Sequence, residues 1–326
     1  MKQVAQPVDK GTRMLIDGLL VSKWSREVFE EMQKAKVTAA NCTVSVWEGF
    51  TDTVDNIMSM RKLIRESAGK VVLVRSTEDI LSAYENGKSG VILGFQNSHA
   101  VEDKVSNVEV FHDLGVRIIQ LTYNTQNLVG TGCYERDGGL SGYGHEVLEE
   151  MNRLGIVCDL SHCGANTAKE AIEASKVPVC YSHTAPAGLK EHPRNKTDEQ
   201  LRHIADHDGF VGVTMFASFL ARGLDSTADD FAEAIAYVMN IVGEESVGIG
   251  TDHTQGHGRE FFEWITHDKG HGRRLTEFGA IANPKGLQSI GELRNLEAAL
   301  EKRGFSARQI ENVLAKNWLR FFERTW

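Results

Sequence analysis

Two serine-histidine pairs, Ser161-His162 and Ser182-His183, each close a short apolar segment of the chain. The two segments are consecutive along the sequence, and their continuous apolar character is typical of strands buried in a parallel sheet. Because neighbouring parallel strands lie about 4.8 Å apart, imidazoles at their carboxyl ends can reach one ion. Imidazole suits zinc and similar metals. The sequence therefore predicts that His162 and His183 are metal ligands.

A third segment of this kind ends in an acid. Asp252 follows Gly248 and Gly250, which lie four and two residues before it and share its face of a strand. Glycines there leave space beside the carboxylate, which could serve as a general base or as a metal ligand. The alternative is a buried aspartate that fixes a loop or caps a helix. Both readings stay open from the sequence.

The five cysteines are scattered without a CxxC pair, which predicts reduced thiols. Strand alternation puts Cys158 on the face of His162, about 13 Å deeper. The same alternation turns Cys163 and Cys180 away from the histidines beside them. We therefore expect these three cysteines to be packing residues and not ligands.

Elements that can position these residues recur along the whole chain. About eight apolar, β-rich segments alternate with amphipathic helical stretches, which predicts βα units and, from their number, a single closed (β/α)8 TIM barrel over residues 1–326. An open doubly wound sheet is the alternative. The tail, 289–326, predicts two extra C-terminal helices separated at Gly304. The strand segments are 14–20, 38–46, 90–96, 116–123, 155–162, 177–183, 209–216 and 246–252, and the helical ones are 25–35, 54–68, 103–114, 144–154, 165–174, 197–207 and 228–242.

Composition excludes several classes of function. The chain has 326 residues with 36 Lys and Arg against 45 Asp and Glu, a net charge of −9, and no basic stripe. Nucleic acid and anionic membranes are therefore not expected as partners. No apolar run approaches the roughly 20 residues of a membrane span. Residues 1–13 lack the apolar core of a signal peptide, so we expect a cytoplasmic protein.

The stretch 139–195 resembles the renal (membrane) dipeptidase family of zinc metallopeptidases, a branch of the amidohydrolase-like barrels. Weaker similarity extends the resemblance over nearly the whole chain. The strongest motifs are 149–157, 159–162, 179–183 and 192–195, and the weaker ones are 114–117, 121–124, 247–252 and 316–320.

The resemblance implies roles for individual residues. His162 and His183 match the two histidines of the family's second metal. Asp252 matches the acid that handles the proton and the substrate's amino group, and Arg194 matches the arginine that meets the substrate carboxylate. Tyr123 stands where a histidine polarises the scissile carbonyl, and we assign it a catalytic role. Its neighbour Asn124 is assigned to substrate binding.

Other positions depart from the family's pattern. The strand-one motif Asp-Gly-His-any-Asp reads Asp-Gly-Leu-Leu-Val here, so Leu19 and Val21 replace two ligands of the first metal. The bridging glutamate position holds Gln96, a neutral amide whose oxygen could complete a site only weakly. We therefore expect at most one zinc or similar divalent ion per chain, at His162 and His183.

The sequence thus predicts a cytoplasmic metallo-dipeptidase-like hydrolase that cleaves a dipeptide or amide-like small molecule with a metal-activated water. The alternative is a metal-free barrel, or pseudoenzyme, that binds a small carboxylate through Arg194 and Asp252. A metal-free lyase or isomerase using Asp252 and Tyr123 is a third reading. The resemblance also implies a homodimer, because members of the family are often dimers.

Overall fold

The computed structural model describes residues 12–276 and 282–326 and contains nine parallel strands. Eight of them form the wall of a nearly closed barrel in the order β1-β2-β4-β5-β6-β7-β8-β9, and β3 pairs with the first half of β4. The strands are β1 (Ile16–Leu20), β2 (Ala39–Ser45), β3 (Val71–Leu73), β4 (Ser89–Phe95), β5 (Val116–Gln120), β6 (Val157–Asp159), β7 (Cys180–Thr184), β8 (Phe210–Val213) and β9 (Val247–Ile249).

The first and last strands meet through the residues that follow them. The Val21 amide donates to the His253 carbonyl at 3.2 Å, and the Asp252 amide donates to the Leu19 carbonyl at 3.0 Å. Leu20 and His253 also form a parallel bridge. These contacts close the sheet at its carboxyl end, so the predicted barrel is confirmed and the open sheet is excluded.

Helices cover the outside of the barrel, and several begin at a serine or threonine whose side chain accepts a backbone N–H, as at Ser25, Ser141 and Thr197. No helix in the described ranges is long and apolar enough to cross a membrane. The helices are α1 (Arg26–Lys34), α2 (Phe50–Glu66), α3 (Thr77–Glu85), α4 (Asn107–Asp113), α5 (Gly142–Leu154), α6 (Ala165–Ala174), α7 (Asp198–Asp206), α8 (Ala228–Val242), α9 (Arg259–Ile265), α10 (Asn295–Lys302), α11 (Ala307–Glu311) and α12 (Asn317–Thr325).

All eight predicted strands are present. Seven are shorter than their apolar segments, and β4 is as long as its segment but begins one residue earlier. The unit formed by β3 and α3 was not predicted, because three residues are too few to show a period. The predicted break at Gly304 is present, since this residue has a φ of 86° between α10 and α11. Beyond it, a π-helical turn at Asn312–Lys316 joins α11 to α12.

The C-terminal helix fills the amino-terminal end of the barrel. Trp318 of α12 is fully buried, and its indole Nε1 donates to the Ile249 carbonyl at 2.8 Å. A Cβ on Gly18 would lie 2.3 Å from this ring, and one on Gly248 would lie 2.8 Å from it. The space that the strand glycines leave is therefore occupied by an indole, and the opposite end of the barrel carries the polar residues.

Candidate active site

The two predicted metal-ligating histidines come together at the carboxyl end of the barrel. His162 and His183 are both buried, and their Nε2 atoms lie 3.0 Å apart. Both imidazoles reach this position through irregular backbone. β6 ends at Asp159, three residues before His162, and the register of β7 shifts between Tyr181 and Thr184.

His183 is held by a serine and a buried carboxylate. Its Nδ1 lies 2.7 Å from Ser182 Oγ, and that hydroxyl donates to Asp159 Oδ2 at 2.5 Å. Since the single hydroxyl proton of Ser182 is used on Asp159, the serine oxygen must accept from His183 Nδ1. The proton of neutral His183 therefore lies on Nδ1, and its Nε2 carries a lone pair.

His162 has the same tautomer, which the side-chain amide of Asn124 fixes. Its Nδ1 donates to Asn124 Oδ1 at 2.7 Å, which leaves a lone pair on Nε2. Burial lowers the pKa of both histidines well below the usual value, and the charge of Arg194 adds to this effect. Two neutral imidazoles therefore point lone pairs at each other across 3.0 Å.

This geometry fits a cation. Facing lone pairs repel unless a positive charge lies between or beside them, and each Nδ1 is tied to an oxygen acceptor as in protein metal sites. The described residues contain no cluster of three or more His, Cys, Asp or Glu side chains that could hold a metal. The side-chain amide of Gln96 donates to Thr43 Oγ1 at 3.0 Å, and Leu19 and Val21 are buried apolar residues. The two imidazoles are therefore the donors that the structure brings together, and the bond to Thr43 leaves the side-chain oxygen of Gln96 unused.

Asp252 lies at the same end of the barrel. Burial is the largest cause that raises its pKa, to about 7, while Arg194 opposes the rise and the carboxylates of Asp17 and Asp159 add to it. Its backbone has a φ of 59°, in the left-handed region that residues other than glycine seldom adopt. A carboxyl group with this pKa can gain and lose a proton near neutral pH.

Tyr123 packs directly against the histidine pair. Its ring stacks on the His162 imidazole with centroids 4.1 Å apart, and it packs nearly perpendicular to the Trp47 ring with centroids 5.1 Å apart. Burial raises the pKa of the phenol, and the charge of Asp252 raises it further. Tyr123 therefore keeps its proton and can act only as a neutral hydrogen-bond donor.

Arg194 is buried beside the backbone that carries the two histidines. Its guanidinium donates to the Ser161 carbonyl and to the His183 carbonyl, the latter at 3.1 Å, and it lies 5.4 Å from the centre of the Phe219 ring. Its Nε has no hydrogen-bond partner among the described residues. The arginine thus fixes the backbone beside both histidines and keeps an unused donor.

The structure corrects the strand-alternation argument for the cysteines. Cys158 lies in the core shared with helix residues, and Cys180 lies in the core around Trp318. Cys158 and His162 therefore do not share a face, because the strand ends between them. Thr122 donates to Cys163 Sγ at 3.3 Å, within the buried core.

Several site residues could not be found from spacing alone. Asn124, predicted to bind substrate, accepts from His162, and Asp159 supports His183 through Ser182. The Asp-any-Ser-His order of residues 159–162 was a usable signal, since an aspartate two residues before a serine can accept its amide; Ser161 N donates to Asp159 Oδ1 at 3.0 Å.

Comparisons with known proteins identify the family and the fold. The family profile described as membrane dipeptidase (peptidase family M19) matches residues 12–264. An uncharacterized dipeptidase of Schizosaccharomyces pombe is 31% identical over 84% of this chain, which spans 62% of that protein's length. The crystal structure of an amidohydrolase from Pseudomonas aeruginosa has a TM-score of 0.95 and 62% identity, with 96% of this chain and 97% of the other covered.

A more distant structure shows the fold alone. A metallo peptidase from Rhodobacter sphaeroides, solved with a phosphinate mimic of the dipeptide L-Ala-D-Ala, has a TM-score of 0.81 at 18% identity, with 97% of this chain and all of the other covered. The match of the family profile over most of the chain decides the classification: the protein belongs to the membrane dipeptidase family, peptidase family M19.

Proposed function

We propose that the protein is a hydrolase of an amide or peptide bond in a small molecule that carries a carboxylate, and that it works with one zinc or similar divalent ion. The observation that carries the proposal is the pair of Nε2 lone pairs of His162 and His183, which face each other at 3.0 Å. The dipeptidase names of the relatives and the amidohydrolase at 62% identity support the reaction class.

His162 and His183 would hold the ion, which when bound supplies Lewis acidity and lowers the pKa of water. Asn124 and Asp159, the latter through Ser182, keep the histidine protons on Nδ1 and so keep both Nε2 atoms available. Such supporting contacts change metal affinity when removed.

The remaining residues bind the substrate and move a proton. Asp252, with a pKa of about 7, accepts the proton of the attacking water and returns it to the leaving amine. The phenol of Tyr123 donates a hydrogen bond to the oxygen on which negative charge develops. Arg194 offers its unpaired Nε–H to the substrate carboxylate, as a charge-assisted contact.

We expect ordinary dipeptides to be cleaved weakly. A single ion held by two neutral histidines has fewer protein ligands than the three of most catalytic zinc sites. Two ions that share a hydroxide also position it, which one ion does less well. Zinc-dependent, rapid cleavage of ordinary L,L-dipeptides would contradict this expectation.

Metal content and hydrolysis test the proposal together. We expect about one ion per chain after dialysis against zinc, as two-imidazole ligation allows, and its loss in His162→Ala and His183→Ala. His203→Ala, on α7 away from the site, is the matched control and should keep the ion. Dipeptides, N-acyl amino acids and small cyclic amides are then assayed with and without zinc. Metal-free protein that binds but never cleaves these carboxylates would favour the metal-free binding barrel instead.

A further inference from the structure

Asp17 is a buried carboxylate to which the proposed reaction assigns no role. It belongs to β1 and is fully buried. Its Oδ1 accepts the Thr251 amide at 2.8 Å and the Leu19 amide at 3.1 Å, and its Oδ2 accepts the Thr251 hydroxyl at 2.6 Å. One side chain of the first strand thus takes both donors of the residue that precedes Asp252.

These hydrogen bonds fix the backbone next to Asp252. Asp252 has a φ of 59°, and its own amide donates to the Leu19 carbonyl at 3.0 Å. An uncommon left-handed conformation at a residue other than glycine persists only where its surroundings hold it. The turn between Thr251 and Asp252 is held from β1, at Asp17 and Leu19. The residues after β8 also contribute, since the Met215 amide and the Thr214 hydroxyl each donate to the Thr251 carbonyl at 3.3 Å.

Hydrogen bonds between β1 and Thr251 do not by themselves require a carboxylate. Burial raises the pKa of Asp17 to about 6, although three hydrogen bonds oppose the rise, so the ionised group is costly at this position. A neutral amide could accept the same two N–H groups. The acid does place a negative charge near Asp252, together with Asp159 and against Arg194.

The motif of the first strand keeps the residues that make structural contacts and lacks the metal ligands. Leu19 and Val21 cannot bind metal, yet Asp17 and Gly18 before them each make a specific contact. Gly18 makes room for the Trp318 ring, and Asp17 binds Thr251. Asp17 therefore supports the end of the neighbouring strand β9, which Asp252 follows.

We propose that Asp17 is the positioning residue of Asp252: through Thr251 it holds the carboxylate toward Tyr123 and Arg194, and its negative charge keeps that carboxylate basic. The proposal rests on the proposed function, in which Asp252 is the proton acceptor. It adds Asp17, on β1, as a second residue that affects proton transfer by Asp252.

Two substitutions separate geometry from charge. Asp17→Asn keeps acceptors for the two amides, and the Thr251 hydroxyl can turn to the Leu19 carbonyl, 3.5 Å away. We expect kcat near the wild-type value but an acid limb of the pH profile at lower pH, because a negative neighbour is lost. Asp17→Ala removes the acceptors, and we expect kcat to fall about tenfold or more, with KM changed less than about threefold.

The control is another buried aspartate outside the site. Asp230 caps α8 and pairs with Arg222 at 2.8 Å, so Asp230→Asn should lower the melting temperature without moving the pH profile. All rates are expressed per folded molecule. If Asp17→Ala lowers activity only as far as its folded fraction falls, or if Asp17→Asn leaves the acid limb in place, Asp17 is structural only and the proposal is wrong.

A direct titration makes the result independent of catalysis. Carbon-13 labelling of the aspartate carboxyl groups, with Asp252 assigned from Asp252→Asn, reports the pKa of Asp252. We expect it to fall in Asp17→Asn and to stay unchanged in Asp230→Asn. A wild-type protein without hydrolysis but with this fall would reject the proposed function and keep the coupling, whereas hydrolysis with no fall would reject the coupling alone.

Discussion

At the scale of single residues, the pKa of about 7 at Asp252 sets how activity should depend on pH. A general base works in its ionised form, so kcat/KM should rise as pH increases through about 7 and then level off. Asp252→Asn should abolish hydrolysis, because an amide cannot accept the proton. A pH-rate profile of wild type and variant measures both. Full activity in Asp252→Asn, or a flat profile from pH 5 to 8, would contradict the role.

Ionisation of Asp252 should lower the free energy of unfolding. The pKa of Asp252 is about 7 in the folded chain against 3.8 as its ordinary value, so the folded state binds the proton more strongly. The free energy of unfolding therefore falls as pH rises between these two values. Asp252→Asn should melt at higher temperature than wild type, by a margin that grows from pH 5 to pH 8. Melting curves in chelator check this, and a margin independent of pH would contradict it.

Residue types at strand ends made His162, His183 and Asp252 predictable, because parallel strands bring their carboxyl ends to one rim. The orientation of the two imidazoles was not predictable. It depends on the end of β6 at Asp159 and on the register shift in β7, and neither leaves a periodic signal. The supporting contacts come from two further places, since Asn124 lies beyond the end of β5 and Ser182 lies within β7.

At the scale of elements, α12 holds the barrel together from its amino-terminal end. Trp318 is fully buried, so Trp318→Ala should lower the free energy of unfolding by about 3–5 kcal/mol. A Cβ on Gly248 would lie 2.8 Å from the Trp318 ring and 2.9 Å from Phe210, so Gly248→Ala should also destabilise. Because they meet at one place, the double variant should lose less than the sum of the two. Denaturant titrations of all four proteins measure this, and strict additivity would contradict the contact.

The predicted elements were right where the apolar segments were long. The eight barrel strands and the helices Ala165–Ala174 and Ala228–Val242 lie where the sequence placed them. The short strand Val71–Leu73 was not predicted, although it pairs with β4. Its three residues show neither alternation nor a turn signal, and only pairing with the neighbouring strand defines it.

At the scale of the whole molecule, the mouth of the barrel has two unlike halves. His162, His183, Arg194 and Asp252 come from the second half of the barrel, whereas Leu19 lies in its first strand and Val21 directly follows that strand. Val46, Trp47 and Tyr123 form a buried apolar cluster against which Trp264 and Leu275 pack. The sequence predicted the replaced ligands at Leu19 and Val21, but the aromatic cluster forms only when segments distant in sequence meet.

Restoring the missing ligands tests whether this asymmetry limits the metal content. Leu19→His, Val21→Asp and Gln96→Glu together add one imidazole and two carboxylates, and negative charge is what two neighbouring dications require. Val21 borders a cavity of about 550 Å³ shared with Met60 and Trp264, so an aspartate there has room. We expect metal uptake to rise from at most one ion per chain toward two, measured by elemental analysis after dialysis against zinc.

Gln96→Glu alone is the control and should stay near one, because a carboxylate without the two first-strand ligands cannot build a second site. Unchanged uptake in the triple variant would mean that these first-strand positions do not face the histidine pair, and two ions in the unmodified protein would mean that the replaced ligands do not limit its metal content.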